Sequence, residues 1–80
     1  MYYLYLLECR DGTLYTGIAR DVSARVGIHA AGRGSKYVRA RGVGRVVYTE
    51  PHTTLADALR RERQIKSWRR PQKLALANTV

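Results

Sequence analysis

The chain has 80 residues and a formal net charge of +9, because fifteen Lys and Arg residues outnumber six Asp and Glu residues. Its single cysteine, Cys9, excludes an internal disulfide and a zinc site built from several thiolates, since both require more than one thiol. The sequence shows no signal segment and no apolar run of the roughly 18 residues that a transmembrane helix needs. We therefore expect one cytoplasmic domain, residues 1–80, that contacts no membrane.

The positive charge is carried mainly by arginine, which supplies twelve of the fifteen cations. A planar guanidinium group pairs with two phosphate oxygens at once, which the lysine ammonium group cannot do. A small, strongly basic and arginine-rich chain therefore indicates a nucleic-acid partner. The alternatives are a merely solvated basic surface and one that meets anionic lipid.

The N-terminal segment predicts a β-hairpin rich in tyrosine. Its elements are the strands Tyr2–Cys9 and Thr13–Ala19 and the loop 10–12. The loop ends in glycine, as three-residue hairpin loops commonly do. Because side chains alternate along a strand, this loop length places Tyr3, Tyr5 and Tyr15 on one face. A two-residue loop would move Tyr15 to the opposite face from Tyr5, so the predicted site depends on the loop length.

A helix is predicted after the hairpin. Asp21 is a suitable N-cap, and Gly32 is placed to end the helix after about Ala31. Val22 and Val26 form its apolar stripe.

Two polar residues, Arg25 and His29, lie beside that stripe at a spacing of one helical turn, and both face the tyrosine hairpin. A histidine in such a position is more often structural than catalytic, but its pairing with arginine leaves the two interpretations evenly balanced. Gly27 is unfavourable inside a helix, and we interpret it as a close approach to another element.

Residues 32–45 are rich in glycine and arginine, and we expect an irregular segment with one short helical turn. A third strand is predicted over residues 46–50, and Pro51 ends it.

The last predicted helix begins at Thr54, which with Asp57 resembles a capping box, and runs to about Arg70. Pro71 ends it, and residues 72–77 add a final turn or two. The fold class is therefore α+β, in the order β-β-α-β-α, with a small, mainly antiparallel three-stranded sheet flanked by helices.

Glu62 interrupts the apolar face of this helix. Its neighbours on that face are Leu55, Ala58, Leu59 and Ile65. A carboxylate in such a position is costly unless it is paired or binds a cation. Glu62 is thus either a catalytic or metal-binding group or an ordinary partner of Lys66 one turn later.

The inward polar groups together fit phosphodiester hydrolysis. A fixed arginine and a divalent cation neutralise the charge that develops on the phosphoryl group. Magnesium is often held by one or two carboxylates and several waters, so Glu62 alone suffices as protein ligand. A tyrosine or histidine can activate the attacking water, although a phenol with a pKa near 10 needs help from a nearby cation.

Four segments resemble motifs of the GIY-YIG nuclease superfamily. They are YLY at 3–5 with YTG at 15–17, DVSARVGIH at 21–29, ALRRERQIKSW at 58–68, and the pattern HxxGxGxKY from His29 to Tyr37. The last is similar to small stand-alone bacterial members. The resemblance extends from Tyr3 to about Lys73.

This resemblance implies an endonuclease that uses one Mg²⁺ or Mn²⁺ ion, acts on DNA rather than RNA by structure rather than sequence, and needs no obligate protein partner. The resemblance implies that Tyr5 and Tyr15 are the two motif tyrosines, one of which acts as the general base or assists it. It implies that Arg25 binds the scissile phosphate and that His29 assists proton transfer or orientation. It also implies that Glu62 binds the metal and that Gly17 lets the substrate or Tyr5 come close. The chain departs from the family pattern at Tyr3, where the motif has glycine. Asn78 is the only candidate for the downstream asparagine of many members, and it lies close to the C-terminus.

We expect nucleic acid to contact the basic segment after the first helix. The candidate residues are Lys36, Tyr37, Arg39, Arg41 and Arg45. Such contacts go mainly to phosphates and carry little sequence information, while Tyr37 can stack on an exposed base. Three functions stay open: an endonuclease, a catalytically weak or inactive nucleic-acid-binding module of the same fold, and an adaptor whose basic face binds an acidic protein.

Overall fold

A computed structural model describes residues 1–78 and contains an antiparallel sheet of three strands with helices on both faces. The strands are β1 (Tyr2–Cys9), β2 (Leu14–Ala19) and β3 (Val43–His52), in the order β2-β1-β3. The helices are α1 (Val22–Ala30), α2 (Lys36–Arg41), α3 (Leu55–Lys66) and α4 (Arg70–Ala77). The predicted α+β class is confirmed, and the short helical pieces expected within residues 32–45 and 72–77 are the helices α2 and α4. Within residues 1–78, no helix is long and apolar enough to cross a bilayer.

Four residues separate β1 from β2, but the Cys9 N–H donates to the Thr13 carbonyl at 2.8 Å, so the hairpin closes at this pair around the predicted loop 10–12. Tyr5 lies opposite Gly17, and Leu7 lies opposite Tyr15. Gly12 adopts a φ of +84°, the left-handed conformation that this kind of loop requires at its last position. Tyr5 and Tyr15 therefore share one face of the sheet, as predicted.

The two faces of the sheet pack on different helices. One face packs on α1 and α2, and its buried residues are Tyr5, Leu7, Cys9, Ala19 and Val38. The other packs on α3 and α4, and its buried residues are Leu4, Leu6 and Ile65. Alternation along β1 produces this division, because successive side chains point to opposite faces. The central strand is thus buried on both sides, which explains its unbroken apolar run.

The third strand is longer than predicted, and the prediction that Pro51 ends it was wrong. β3 runs from Val43 to His52 and contains Pro51. An edge strand accepts proline because the N–H groups on its outer side have no partner in the sheet.

The segment before β3 is more regular than predicted, because the expected short helical turn is a helix of six residues. Residues 36–41 form α2, whose first turn is capped by Ser35.

The helix predicted from Thr54 to about Arg70 ends earlier, and the turns predicted over residues 72–77 belong to a separate helix that begins at Arg70. α3 ends at Lys66, and the following Ser67 hydroxyl donates to the carbonyl of Gln64 at 2.6 Å. Pro71 lies in the first turn of α4 instead of ending α3. Proline is favoured at that position because the first helical N–H groups have no partner within the helix.

The face that α3 turns to the sheet is narrower than the sequence pattern predicted. Leu55 and Leu59 are 45% and 43% exposed, whereas Ala58 and Ile65 are fully buried. Glu62 lies between Ala58 and Ile65 on this face and is half-buried. The close approach predicted at Gly27 was wrong, because a Cβ atom placed there would meet nothing within 4 Å.

Candidate active site

A buried hydrogen bond joins the central strand to the end of α1. The Tyr5 hydroxyl lies 3.1 Å from Nε2 of His29, and the two residues are 1% and 4% exposed. Asp21 sets the start of α1 by accepting a hydrogen bond from the Ala24 N–H at 3.0 Å. With the helix fixed there, His29 falls in its last turn and reaches the tyrosine face of the sheet.

Gly17 is the position that lets the Tyr5 ring lie across β2. A Cβ atom placed on Gly17 would stand 2.5 Å from both Cζ and Oη of Tyr5. Such a distance is far inside van der Waals contact, so only glycine leaves the ring where it is. Of the two groups that the sequence analysis expected near this glycine, Tyr5 is the one in contact with it.

Aromatic rings extend from the buried pair to the surface. The Tyr15 ring centroid lies 6.2 Å from that of Tyr5, 5.5 Å from His29 and 5.9 Å from Tyr37. Tyr37 is 40% exposed, so this row of rings ends at solvent. Contacts at these centroid distances are favourable for tilted and edge-on pairs.

The environment keeps the Tyr5 phenol protonated. Burial, followed by the neighbouring Tyr15, raises the pKa of Tyr5 to about 12, although the charge of Arg25 acts in the opposite direction. Burial and then the positive charge of Arg25 lower the pKa of His29, so its imidazole is neutral at pH 7. A protonated phenol thus stands beside a neutral imidazole, an arrangement in which the phenol can donate to Nε2.

Arg25 and Glu62 approach the same phenol from opposite layers. Arg25 is exposed on α1, and its charge acts on both Tyr5 and His29. Glu62 is on α3, and its charge acts on Tyr5 as well. Tyr5, Tyr15 and His29 are thus in direct contact, and the other two residues predicted for chemistry, Arg25 and Glu62, act on Tyr5 through their charges.

Glu62 is also the residue in this group suited to a metal. Its side chain is 20% exposed, and one carboxylate oxygen lies 3.4 Å from Nζ of Lys66, the alternative partner that the sequence predicted. Among residues 1–78, no cluster of three or more His, Cys, Asp or Glu side chains could hold an ion. The donors present fit a hard cation such as Mg²⁺, which accepts one carboxylate and fills its other positions with water and phosphate oxygens.

The residues predicted to contact nucleic acid are divided between two places. Lys36, Tyr37, Arg39 and Arg41 lie on α2, beside the aromatic row. Arg41 stacks over the Tyr37 ring at 4.6 Å and forms an ion pair with Asp11 at 2.9 Å. Arg45 lies apart from them on β3, where it pairs with Glu8 at 3.5 Å. Asn78 forms the C-cap of α4.

One residue of the site had no role in the sequence analysis. Gly34 adopts a φ of +84°, and a Cβ atom on it would lie 3.0 Å from Nδ1 of His29. It therefore covers the imidazole closely on the side away from Tyr5. The only indication in the sequence was its place in the HxxGxGxKY pattern, which does not reveal what the glycine contacts.

Comparison with known proteins covers nearly the whole chain. Residues 1–75 match the family model of the GIY-YIG catalytic domain. UPF0213 proteins of Staphylococcus epidermidis and Staphylococcus aureus are 47% and 45% identical over 75 residues, which is 94% of this chain and 92% of each relative. The solution NMR structure of a UPF0213 protein from Bacillus halodurans is 41% identical, with a TM-score of 0.62, and covers 99% of this chain and 85% of that one.

Proposed function

The chain belongs to the GIY-YIG family, and on that premise we propose that it is a metal-dependent endonuclease that hydrolyses phosphodiester bonds in DNA. Domains of this family are generally those of endonucleases, while the name UPF0213 specifies no activity. The observation that carries the proposal is the buried contact between Tyr5 and His29, with the charges of Arg25 and Glu62 acting on the same phenol.

In the proposed reaction, Tyr5 and His29 activate water together. A free tyrosinate is rare at neutral pH when the pKa is about 12, so Tyr5 alone is a poor base. We propose that the attacking water gives a proton to the Tyr5 oxygen while the Tyr5 hydroxyl passes its own proton to Nε2 of His29. The water oxygen forms the new P–O bond, the ester P–O bond breaks, and the leaving alkoxide takes up a proton from solvent.

Arg25 and Glu62 serve the phosphate in this proposal. The Arg25 guanidinium binds the non-bridging oxygens and stabilises the charge that they gain in the transition state. Glu62 would hold the Mg²⁺ or Mn²⁺ ion that family members typically use, and the ion would supply positive charge beside the reacting phosphate. Tyr15 packs between the Tyr5, His29 and Tyr37 rings and keeps the phenol in place.

The proposed substrate is DNA recognised by its structure. The net charge of +9 favours a polyanion, and arginine contacts to phosphates carry little sequence information. Tyr37, with Arg41 stacked on it, offers a surface for an unpaired base at the edge of the site. Single-stranded DNA and branched DNA with unpaired segments present such bases, whereas an intact duplex does not.

The test is cleavage of linear, nicked, branched and single-stranded DNA by the purified protein, with Mg²⁺ or with EDTA. We expect Mg²⁺-dependent cleavage that Glu62→Gln abolishes while DNA affinity is kept. Glu8→Gln is the matched control, because Glu8 is also a partly exposed carboxylate paired with a cation at 3.5 Å. Equal cleavage by the parent and by Glu62→Gln would contradict the proposed site.

A second candidate function is a nucleic-acid-binding module without useful catalysis. The ion pair between Glu62 and Lys66 favours it, since a carboxylate occupied by Lys66 is less available to a metal. Under this alternative the protein binds DNA with strong salt dependence and cleaves none of the substrates with any divalent metal. Lys66→Met distinguishes the two functions, because freeing Glu62 should increase metal-dependent cleavage only in a nuclease.

A further inference from the structure

A cavity of about 280 Å³ lies beside His29, between the end of α1, α2 and the start of β3. Its polar wall consists of Arg10, Arg39 and His29, and the described residues that line it include no acid. Clustered arginines without a carboxylate repel one another unless an anion joins them. The composition of the wall therefore favours an anionic ligand.

Arg10 is held in place by the backbone around Gly42. Its Nε donates to the carbonyl of Val43 at 3.3 Å, and its own N–H donates to the carbonyl of Gly42 at 3.0 Å. A Cβ atom on Gly42 would stand 2.9 Å from Cδ of Arg10, so the arginine stem lies directly on this glycine. These contacts orient the guanidinium, and its two terminal nitrogens form no hydrogen bond within residues 1–78.

The two arginines of the cavity have no carboxylate partner among the residues that the structure describes, unlike four other arginines of the chain. Arg41, Arg45, Arg60 and Arg61 each form an ion pair with Asp or Glu. Within residues 1–78, neither Arg10 nor Arg39 forms one. Their charge is therefore not neutralised by the protein, as expected of groups that bind an anion.

His29 joins this cavity to the candidate active site. Its Nε2 contacts Tyr5, whereas its Nδ1 is buried and has no hydrogen-bond partner in the described part of the chain. Buried polar atoms are seldom left unpaired, because each one costs about 1 to 3 kcal/mol. His29 is one of the residues that line the cavity, so the ring borders both the cavity and the candidate site.

We propose that the cavity binds a second phosphate group of the nucleic-acid strand, next to the phosphate at Tyr5. This inference rests on the proposed function for the position of the cleaved phosphate. Guanidinium groups on one wall match the oxygens of a phosphodiester, and the cavity is of a size to admit the phosphate and part of its sugar. Arg10 and Arg39 then fix the path of the strand across His29.

The test measures binding without cleavage, so that it is independent of the nuclease proposal. A labelled single-stranded oligonucleotide is titrated in EDTA at several salt concentrations, with the parent, Arg10→Gln and Arg39→Gln. Each substitution should lower the slope of log affinity against log salt by about 0.7, the value for one phosphate contact on a single strand. Arg63→Gln is the control, because Arg63 is exposed on α3, outside the cavity, and its slope should equal that of the parent.

Two further measurements keep the result interpretable. Thermal unfolding of each variant shows that it is folded, and Arg39→Lys should keep the salt slope but bind more weakly, because it keeps the charge and loses the fork. Amide NMR signals of Gly32 and Gly42 should shift when the oligonucleotide is added to the parent and not when it is added to Arg39→Gln.

Three outcomes would overturn the proposal. The first is an equal loss of slope in Arg63→Gln, which indicates general charge. The second is an unchanged slope in both cavity variants. The third is that inorganic phosphate or a mononucleotide shifts the Gly32 and Gly42 amide signals but the oligonucleotide does not. That result would mean that the cavity binds a free phosphate compound and not a nucleic-acid strand. Absence of cleavage with the predicted slopes intact would contradict the proposed function alone.

Discussion

The Tyr5 hydroxyl and Nε2 of His29 lie 3.1 Å apart in the interior of the protein, and this contact belongs equally to the core and to the candidate site. Both side chains are almost fully buried. Loss of either polar group leaves the other without its partner, at a cost of about 1 to 3 kcal/mol. Stability and proposed chemistry are therefore coupled at this pair, and variants must be measured for both.

Tyr5→Phe removes this hydroxyl and keeps the ring. We expect the rate of cleavage to fall by about 10²- to 10⁴-fold, the usual contribution of a positioned acid or base, while DNA affinity stays within a few fold. The free energy of unfolding should fall by about 1 to 3 kcal/mol, because both nitrogens of His29 then lack a partner. Cleavage kinetics and thermal unfolding measure the two effects.

Tyr48→Phe is the matched control for that experiment. The Tyr48 hydroxyl donates to Glu50 at 2.7 Å in the other layer of the protein, so its loss should reduce stability without reducing the rate of cleavage. Equal loss of activity in the two variants would mean that stability alone explains the effect of Tyr5→Phe.

Gly17→Ala is predicted to move the Tyr5 ring. The new Cβ atom would stand 2.5 Å from two Tyr5 atoms, and the buried ring has little room to yield. We expect a loss of about 1 to 3 kcal/mol in the free energy of unfolding, together with a large loss of cleavage. Gly27→Ala is the control: it meets no atom within 4 Å, and in mid-helix it should stabilise the protein by about 0.5 to 1 kcal/mol. A Gly17→Ala variant as stable and active as the parent would contradict this account.

The hairpin and the first helix could be predicted because local residues determine them. The loop that ends in Gly12 fixes the register of the hairpin, and Asp21 fixes the start of α1. The shared face of Tyr5 and Tyr15, and the place of His29 at the end of α1, could therefore be predicted from the sequence alone. Glu62 could be selected as a candidate because a carboxylate between buried neighbours is unusual, and the structure confirms only its place between Ala58 and Ile65.

The features that were missed depend on tertiary contacts. Pro51 is accepted inside β3 only because this strand lies at the edge of the sheet, and nothing in the sequence shows that position. The end of α3 was misplaced because Pro71 can either follow a helix or begin one, and here it begins α4. The contact of Gly34 with His29 and the cavity beside Arg10 join segments that are distant along the chain.

Tyr37→Ala tests the exposed end of the aromatic row. If an unpaired base stacks on Tyr37, its loss should weaken binding of single-stranded DNA by about 1 to 3 kcal/mol and leave duplex affinity nearly unchanged. Tyr37→Phe should bind like the parent, because the ring is kept. Tyr2→Ala is the control, since Tyr2 also lies under an arginine, Arg20 at 5.2 Å, but away from α2. Fluorescence anisotropy measures the affinities, and equal losses for single strand and duplex would contradict base stacking.

The protonation of His29 predicts how cleavage depends on pH. Burial and the charge of Arg25 lower its pKa from 6.5, so the imidazole can accept a proton at pH 7 and loses that ability as the pH falls through the lowered pKa. We expect constant cleavage at neutral pH and a decline only below pH 6.5, while DNA affinity does not decline. The pKa of His29 is lower in the folded state than the value of 6.5 in the unfolded state. The neutral ring therefore contributes its full stability above pH 6.5, and this contribution is lost as the pH falls through the folded-state pKa.

NMR titration of the ring protons measures the pKa of His29 directly, and His52→Gln removes the second histidine from the spectrum. The pH profile of cleavage should be unchanged in that variant. A measured pKa of His29 above 6.5, or cleavage that rises as the pH falls, would contradict the assignment.

Glu50 connects α3 to the edge strand. Its carboxylate accepts hydrogen bonds from the Tyr48 hydroxyl at 2.7 Å and from Nε of Arg61 at 3.0 Å, and one of its oxygens lies 2.6 Å from Nε2 of His52. Arg61 also lies over the Trp68 ring, with its Cζ 5.4 Å from the centroid. Because Arg61 belongs to α3, these contacts hold that helix against the edge strand.

Glu50→Gln should destabilise the protein and change its response to acid. Burial acts to raise the pKa of Glu50, but hydrogen bonds from Tyr48, His52 and Arg61 outweigh burial, and the folded-state pKa lies below 4.5. A carboxylate with a depressed pKa contributes its full stability above the unfolded-state value and loses it as the pH falls through the folded-state value. The melting temperature of the parent should therefore exceed that of Glu50→Gln at pH 7, and the difference should shrink below pH 4.5. Asp57→Asn is the control, because the exposed pair of Asp57 with Arg60 contributes little. A difference that stays constant down to pH 3 would show that Glu50 acts through packing rather than charge.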